Sequence, residues 1–177
     1  ELCVGKNEIG RPVIAHFRRR ADAFLVGGAL GNTLLYLEGV NIGESVAERK
    51  IDGMILKVAR MKNIKGLVDA RRRGGKILDI GPKTEKIFMG EIKRAKTIVW
   101  NGPLGMIEKR GFESGTKVVA RAVARTKAFS VVGGGETVNF IRKLKLEKKI
   151  SFLSTGGGAM LDFLAGKKLP GIEALSK

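Results

Sequence analysis

Cysteine is nearly absent from this chain. The single Cys3 in 177 residues excludes an intramolecular disulfide and fits a reducing compartment. Histidine occurs once, and His16 has no cysteine or second histidine nearby to complete a metal set, so it reads as a surface or packing residue. No apolar run reaches the roughly 18 residues of a membrane-spanning helix. The start, ELCVGKNEIG, has no cationic leader of the secretory type. These absences lead to an expected cytoplasmic location with no membrane partner. Acids are also scarce. Against 34 Lys and Arg stand 17 Asp and Glu, a net charge of +17 that favours anionic partners such as nucleotides, phosphorylated metabolites or RNA. The basic runs Arg18-Arg19-Arg20 and Arg71-Arg72-Arg73 show no aromatic interleaving, zinc pattern or basic heptad. Such runs are usually solvated faces, and nucleic acid is the lesser reading for both.

What is present is a repeated strand-and-glycine pattern. The apolar run Ala128 to Val132 ends in Gly133-Gly134-Gly135-Glu136-Thr137, before a helical run from Val138 to Leu144. Glycines let a backbone approach an anion, and the first free N–H groups of the helix point at it with the positive end of the dipole. Glu136 and Thr137 stand where a Mg2+ contact and a phosphate hydrogen bond would be useful. A lone GGG is more often a tight turn, but here the pattern recurs. Phe24-Leu25-Val26 ends in Gly27-Gly28, Thr97 to Trp100 ends in Asn101-Gly102-Pro103, and Ile150 to Thr155 ends in Gly156-Gly157-Gly158. Strands that each end in a glycine turn suggest one crevice at the carboxyl edge of a parallel sheet.

The remaining segments fill in an α/β chain, and 44% apolar residues can supply its core. Pro12 suits the first turn of a helix whose apolar positions are Val13, Ile14, Phe17 and Ala21. A helix is expected over 45–60, on Val46, Ile51, Ile55 and Val58. The segment 62–76 offers only Leu67-Val68 as a strand, then a basic hairpin or loop at 71–75. Lys76 to Ile80 reads as a strand, 83–89 as a helix, and Met160 to Leu164 as a short helix before a polar tail. Asn101 and Glu108 flank Leu104, Met106 and Ile107, a pattern that could hold a base on the apolar part and a ribose on the carboxylate. Alternating strands and helices predict a doubly wound parallel sheet with helices on both faces, in a single domain over 1–177.

In this order, FLVGGALGNTLL, KILDIGPKT, TIVWNGPLGMIE, FSVVGGGETV and ISFLSTGGGAMLDFLAGKKLPGIEAL resemble the carboxyl-terminal, nucleotide-binding half of phosphoglycerate kinase. The resemblance covers most of 20–175 and implies a six-stranded, Rossmann-like parallel sheet. It implies a phosphotransferase of glycolysis that moves phosphoryl between 1,3-bisphosphoglycerate and Mg-ADP, giving 3-phosphoglycerate and ATP. By position it places Glu108 on the nucleotide ribose and Asn101, Gly102 and Pro103 in the nucleotide pocket. Gly27 and Gly28 would lie near the adenine. Gly133, Gly134, Gly135, Glu136 and Thr137 would meet the phosphates, with Glu136 on Mg2+. Gly156, Gly157 and Gly158 would meet the phosphoryl in flight, and Lys6 would stand on the family's first phosphate-binding lysine.

The chain departs from the family in four places. Glu136 replaces the usual Asp and moves the charge by one methylene. Gly10 replaces a second phosphate-binding Lys, for which Arg11 could substitute only by a shifted path. The segment 62–76 is short, so a strand and hairpin are candidates for loss. Nothing resembles the amino-terminal half that holds 3-phosphoglycerate. The expectation is therefore a monomer that binds ADP or ATP without turning over alone; the alternative is a non-catalytic nucleotide-sensing or basic nucleic-acid-binding module.

Overall fold

Short apolar strands separated by amphipathic helices build a three-layer structure. The computed structural model describes residues 2–4 and 7–175, with side chains from Pro12 onward. In chain order the elements are β1 (Leu2–Val4), α1 (Asn7–Phe17), β2 (Phe24–Val26), α2 (Gly28–Leu37), α3 (Gly53–Ala59), β3 (Ile64–Lys65), β4 (Ala70–Arg73), β5 (Lys76–Ile80), α4 (Pro82–Arg94), β6 (Thr97–Asn101), α5 (Ser114–Val123), β7 (Phe129–Gly133), α6 (Gly135–Lys143), a 3-10 turn (Glu147–Lys149), β8 (Phe152–Ser154), α7 (Gly157–Leu164) and α8 (Pro170–Leu175). Six strands form one sheet in the order β3-β2-β1-β6-β7-β8, and every pair in it is parallel. The chain winds outward from β1 in one direction and from β6 in the other. The order reverses between those two strands, which is where doubly wound sheets open a ligand crevice.

Strand alternation sends successive side chains to opposite faces. Leu25, Ile98, Trp100 and Val132 enter a core with Phe88 and Ile92 of α4, Val119 and Val123 of α5 and Ile141 of α6. Phe24 and Val26 enter a second core with Val13 and Ile14 of α1, Leu30 and Leu34 of α2, Val58 of α3 and Leu161 of α7. Two buried clusters, one on each side of the sheet, are what helices on both faces produce. Among the described residues no helix is long and apolar enough to cross a membrane.

Several sequence expectations need correction. Residues 45–52 are not helical; α3 begins only after Asp52, whose carboxylate accepts from Met54 N (2.9 Å) and Ile55 N (2.8 Å). Side chains of α2 bind the preceding segment instead. Asn32 Nδ2 donates to Val46 O (2.9 Å), Thr33 Oγ1 accepts from Glu48 N (2.9 Å), and Val46 is 76% exposed where a helix would have buried it. Pro12 lies inside α1, which begins at Asn7. The strand near 67 is at Ile64–Lys65, where it pairs with β2. Lys76–Ile80 is a strand, but it pairs antiparallel with β4 in a separate hairpin. The segment 62–76 thus retains both a strand and a hairpin. The helices expected from Val138 and Met160 start three residues earlier, at Gly135 and Gly157. The tail carries the short α8.

The arginine run 71–73 is held from within. Arg71 Nη1 reaches Glu85 Oε1 (2.7 Å) and the Ile80 carbonyl, Arg72 Nη1 donates to Asn41 O (2.8 Å), and the Arg73 guanidinium lies 5.2 Å from the Phe112 ring centre. These contacts fasten the hairpin to its surroundings, so the run is more than a solvated face.

Helix α4 receives its cap from outside the helix. Its N-cap is Gly81, which has no side chain, and Asp69 fills the role by accepting from Lys83 N (2.9 Å) and Thr84 N (2.8 Å). A Cβ on Gly81 would fall 2.3 Å from the Asp69 carboxyl carbon, so the cap requires glycine there. Burial pushes the Asp69 carboxyl upward, but hydrogen bonds from Lys83, Thr84 and the Thr84 hydroxyl prevail and hold it below its ordinary value of 3.8. A carboxylate lowered in the folded state adds stability above its unfolded pKa and loses it as pH falls through the folded one. Asp69→Ala is expected to lower unfolding stability at pH 7 by about 1 kcal/mol, the usual cost of a lost cap. The difference should shrink as the pH is taken well below 3.8. Urea titrations of both proteins at neutral and acid pH measure it; an equal difference at both would mean the carboxylate charge is not what caps the helix.

Candidate functional site

The carboxyl ends of β6, β7 and the turn after β8 meet at Asn101. In register, Asn101 pairs with Val4 on one side and Gly133 on the other. Its side chain is buried, with Nδ2 3.4 Å from Gly157 O. The turn that follows is fixed by Trp100, fully buried, whose indole N–H donates to Gly102 O (2.8 Å). The two glycine turns approach backbone to backbone. A Cβ on Gly157 would stand 2.6 Å from Gly134 Cα, and one on Gly133 would stand 2.4 Å from Met160 Cε. Gly134 also holds φ +90, a conformation that side chains disfavour.

Two helices begin in this cleft. The first internal bond of α6 is Val138 N to Gly134 O (2.9 Å), and that of α7 is Met160 N to Gly156 O (2.8 Å). The N–H groups of Gly135, Glu136 and Thr137, and of Gly157, Gly158 and Ala159, therefore precede the first intrahelical bond. Gly135 and Gly158 have nothing within 4 Å of a Cβ position and are open to the cleft. Asn101, Gly102, Pro103, Gly134–Thr137, Gly157 and Gly158 line it together, around about 280 Å³. Thr137 is fully buried, and its Oγ1 has no hydrogen-bond partner. Glu136 is exposed in the first turn of α6. The donor set suits an oxyanion such as phosphate, and one carboxylate beside it suits a divalent cation that keeps most of its other ligands from phosphate and water. Among the described residues no group of three or more His, Cys, Asp or Glu forms an all-protein metal cage.

Pro103 also lines a second, mainly apolar pocket of about 310 Å³, walled by Gly28, Ala29, Val46, Leu67, Ile77, Leu104 and Met106. Gly28, at φ +57, opens α2 at its rim. The Leu104–Met106 segment is anchored at both ends. Thr116 Oγ1 accepts from Leu104 N (3.1 Å), and Met106 N donates to Leu78 O (2.8 Å). The two cavities, polar and apolar, thus adjoin at Pro103.

Not every expected residue reaches these walls. Gly27 lies beneath the apolar pocket, where a Cβ would stand 2.6 Å from Leu104 Cδ2. Glu108 is exposed in the turn Met106 to Lys109, beside the pocket and outside the lining of either cavity. Gly156 is the N-cap of α7, and Gly133 is the last residue of β7. Lys6 lies outside the described residues; Gly10 is in the backbone of α1. Sequence reasoning missed Asn32, Val46, Leu67, Ile77 and Asp79. They come from separate elements, and only the packing of the hairpin over α2 brings them together.

The family model for phosphoglycerate kinase matches residues 9–167. The chain is 40% identical over 190 residues to a phosphoglycerate kinase of Desulfosudis oleivorans, covering 94% of this chain and 48% of that protein. It is 41% identical over 192 residues to one of Akkermansia muciniphila, covering 93% and 48%. In three dimensions it is similar to phosphoglycerate kinase from Coxiella burnetii, with TM-score 0.86 and 33% identity over 99% of this chain and 52% of that one. The corresponding figures for the enzyme from Pyrococcus horikoshii are 0.76 and 30%, over 99% and 50%. The chain spans about half the length of the curated relatives it matches.

Asp79 links the apolar pocket to the fold. It is 1% exposed and accepts from Ile80 N (2.8 Å) and Gly115 N (2.9 Å), with Arg71 Nη1 3.9 Å away. Arg71 is nearer to Glu85, so two acids share one cation. Burial raises the Asp79 carboxyl from 3.8 to about 6, the Gly115 and Ile80 N–H groups and Arg71 opposing it and Glu85 adding to it. A group raised in the folded state contributes stability below its unfolded pKa and loses it as pH rises through the folded one. Between pH 3.8 and about 6 the folded chain should therefore bind more protons at this site than the unfolded chain. Asp79→Asn should remove a fall in stability of roughly 3 kcal/mol in total, what a shift of this size represents at about 1.4 kcal/mol per unit. Carboxyl carbon NMR should find a midpoint near 6; a midpoint at or below the ordinary Asp value would rule this out.

Proposed function

The chain belongs to the phosphoglycerate kinase family, and from that membership we propose that it is the nucleotide-binding half of such an enzyme. The full reaction moves a phosphoryl group between 1,3-bisphosphoglycerate and Mg-ADP, giving 3-phosphoglycerate and ATP in glycolysis. One observation carries the assignment to the nucleotide side: two helix N-termini with open glycines converge on Asn101, next to an apolar pocket that shares Pro103.

In this reading the base enters the apolar pocket, packed against Leu104 and Met106, and the phosphates lie along the first turns of α6 and α7. The backbone N–H groups of Gly135, Glu136 and Thr137 and the Thr137 hydroxyl donate to phosphate oxygens. The N–H groups of Gly157 and Gly158 stabilise charge on the phosphoryl group as it moves. Positioning and charge stabilisation supply most of phosphoryl-transfer catalysis, so a site built mainly from backbone donors is chemically adequate. Glu136 would hold Mg2+, which when bound neutralises charge on the phosphate oxygens. Glu108, on the neighbouring turn, would reach the ribose only by extending toward the pocket from its exposed position. Gly10 in α1 offers no cation to the nucleotide tail.

The buried Thr137 hydroxyl gives a specific test. Removing a hydroxyl that has no partner should not destabilise the fold, whereas removing a donor to phosphate should weaken binding. Thr137→Val should therefore unfold at the same or a higher denaturant concentration. Its affinity for ADP should fall about tenfold, roughly 1.4 kcal/mol, while adenosine is unaffected. Glu136→Gln should reduce the gain that Mg2+ gives to ADP binding. Calorimetry with ADP and adenosine, each with and without Mg2+, reads both effects. An equal loss for the two ligands would remove Thr137 from the phosphate role.

Catalysis in this family needs two halves closing on each other, and this chain matches one. The purified chain should consume no ATP above background when 3-phosphoglycerate is added. A coupled assay showing sustained turnover by this chain alone would overturn its assignment as a nucleotide-binding half.

A further inference from the structure

A group of exposed cations stands at the opposite end of the sheet from the glycine cleft. Two grooves of about 640 Å³ each open at this amino-terminal edge and share Ala95 and Lys96. One is lined by Lys93, Lys96, Arg125 and Lys127; the other continues past Lys96 to Arg20 and Arg94. Two acids, Asp22 and Glu91, also line the second groove, and Glu91 pairs with Arg94 at 2.8 Å. Lys93, Lys96, Arg125 and Lys127 are exposed and in no ion pair among the described residues. Cations in the last turn of a helix are commonly explained by the dipole, which accounts for Lys93 and Arg94 at the end of α4. Lys96 and Lys127 lie beyond the helix ends and precede strands, so that explanation does not extend to them.

Aromatic rings stand on the same edge. Phe129 opens β7 and Phe152 opens β8, and each is 58% exposed. Phe129 N donates to Lys96 O (2.9 Å), which ties it to the shared wall of the grooves. Phe152 pairs with Val131, two residues along from Phe129, so both rings project from the face that carries Val99 and Val131, opposite the face packed by α4 and α5. By strand spacing and rise their Cα atoms are roughly 8 Å apart. The groove past Arg20, Arg94 and Lys96 lies on that same face, next to Thr97 and Val99, and the Lys93–Lys127 groove joins it over the edge through Lys96. Exposed cations leading around an edge to exposed aromatics are the pairing that single-stranded nucleic acid uses, phosphates on the grooves and bases on the rings. Concave grooves suit a flexible polyanion better than a flat membrane surface.

We propose that the amino-terminal edge of the sheet, from the Lys93–Lys127 groove across Lys96 to Phe129 and Phe152, binds single-stranded nucleic acid, independently of the glycine cleft. The test uses the full chain and a fluorescein-labelled oligouridylate of about 12 nucleotides, followed by anisotropy between about 50 and 200 mM KCl, a range over which phosphate contacts weaken measurably. The triple variant Lys96→Glu, Arg125→Glu, Lys127→Glu should bind at least about tenfold more weakly, with a salt slope smaller by about 2, the loss of roughly three single-strand phosphate contacts. The control triple Lys50→Glu, Lys57→Glu, Lys86→Glu changes the net charge equally and should stay near wild type. Phe129→Ser and Phe152→Ser should each weaken binding about fivefold or more at an unchanged slope, as loss of base stacking does. Circular dichroism of each variant should match the wild type, since every substituted side chain is exposed. Saturating Mg-ADP should leave the affinity unchanged. Equal losses in the two triples would mean diffuse charge attraction, and competition by ADP would move the RNA to the glycine cleft. Binding to phosphatidylserine vesicles or polyaspartate without binding to RNA would assign the edge to another partner. Each of these outcomes overturns the proposal.

Discussion

The approach of the Gly133–Gly134 turn to Gly157 is the contact on which the candidate site depends. Two strands at normal spacing carry loops whose backbones touch, and the space a Cβ would need is already taken by Gly134 Cα or by Met160. The close fit has two effects. It brings the starts of α6 and α7 into one cleft, and it leaves Asn101 bridging them from the neighbouring strand. The glycines that permit the packing differ from those that face the opening. Gly133 and Gly157 are spatially forced, whereas Gly135 and Gly158 have empty space beside them. One glycine run therefore does two jobs, and its adjacent members are not interchangeable.

This division explains how much was legible in the sequence. The strand-to-glycine pattern was visible because it is local, and it was enough to place Asn101, Gly134–Thr137 and Gly157–Gly158 on one edge of a parallel sheet. Helix starts were missed by three residues because glycine has low helix propensity, although at a first turn an absent side chain leaves N–H groups accessible. The apolar pocket was less legible. Its walls come from α2, the 45–48 segment, the hairpin and the Leu104 loop, and no spacing rule joins residues so far apart. The mistaken helix over 45–60 has the same origin. Its apolar positions are nearly periodic, but its backbone bonds to Asn32 and Thr33 at Val46 and Glu48 instead of continuing a helix.

Charge was legible as a total and illegible as a distribution. The two arginine runs stood out because they are contiguous. Of these, Arg71 to Arg73 is tied by hydrogen bonds and an aromatic contact to neighbouring elements, and Arg71 compensates Asp79 and Glu85. The cations near 96 and 127 are single residues in loops, adjacent only because β6 and β7 run parallel and begin together.

A parallel sheet makes this separation of roles natural. All six strands point the same way, so the carboxyl edge collects helix N-termini and the amino edge collects helix C-termini. An anion at the carboxyl edge meets oriented N–H donors at short range, in a cleft shaped by glycine. At the amino edge the helix ends present carbonyls, which repel anions, so an anionic ligand there needs side-chain cations that extend past the backbone. Lys96, Arg125 and Lys127 do extend past it, and their charge, unlike that of the N–H groups of α6 and α7, is exposed to screening salt. The two edges should thus differ in kind: one selects an anion by geometry, the other attracts it by charge.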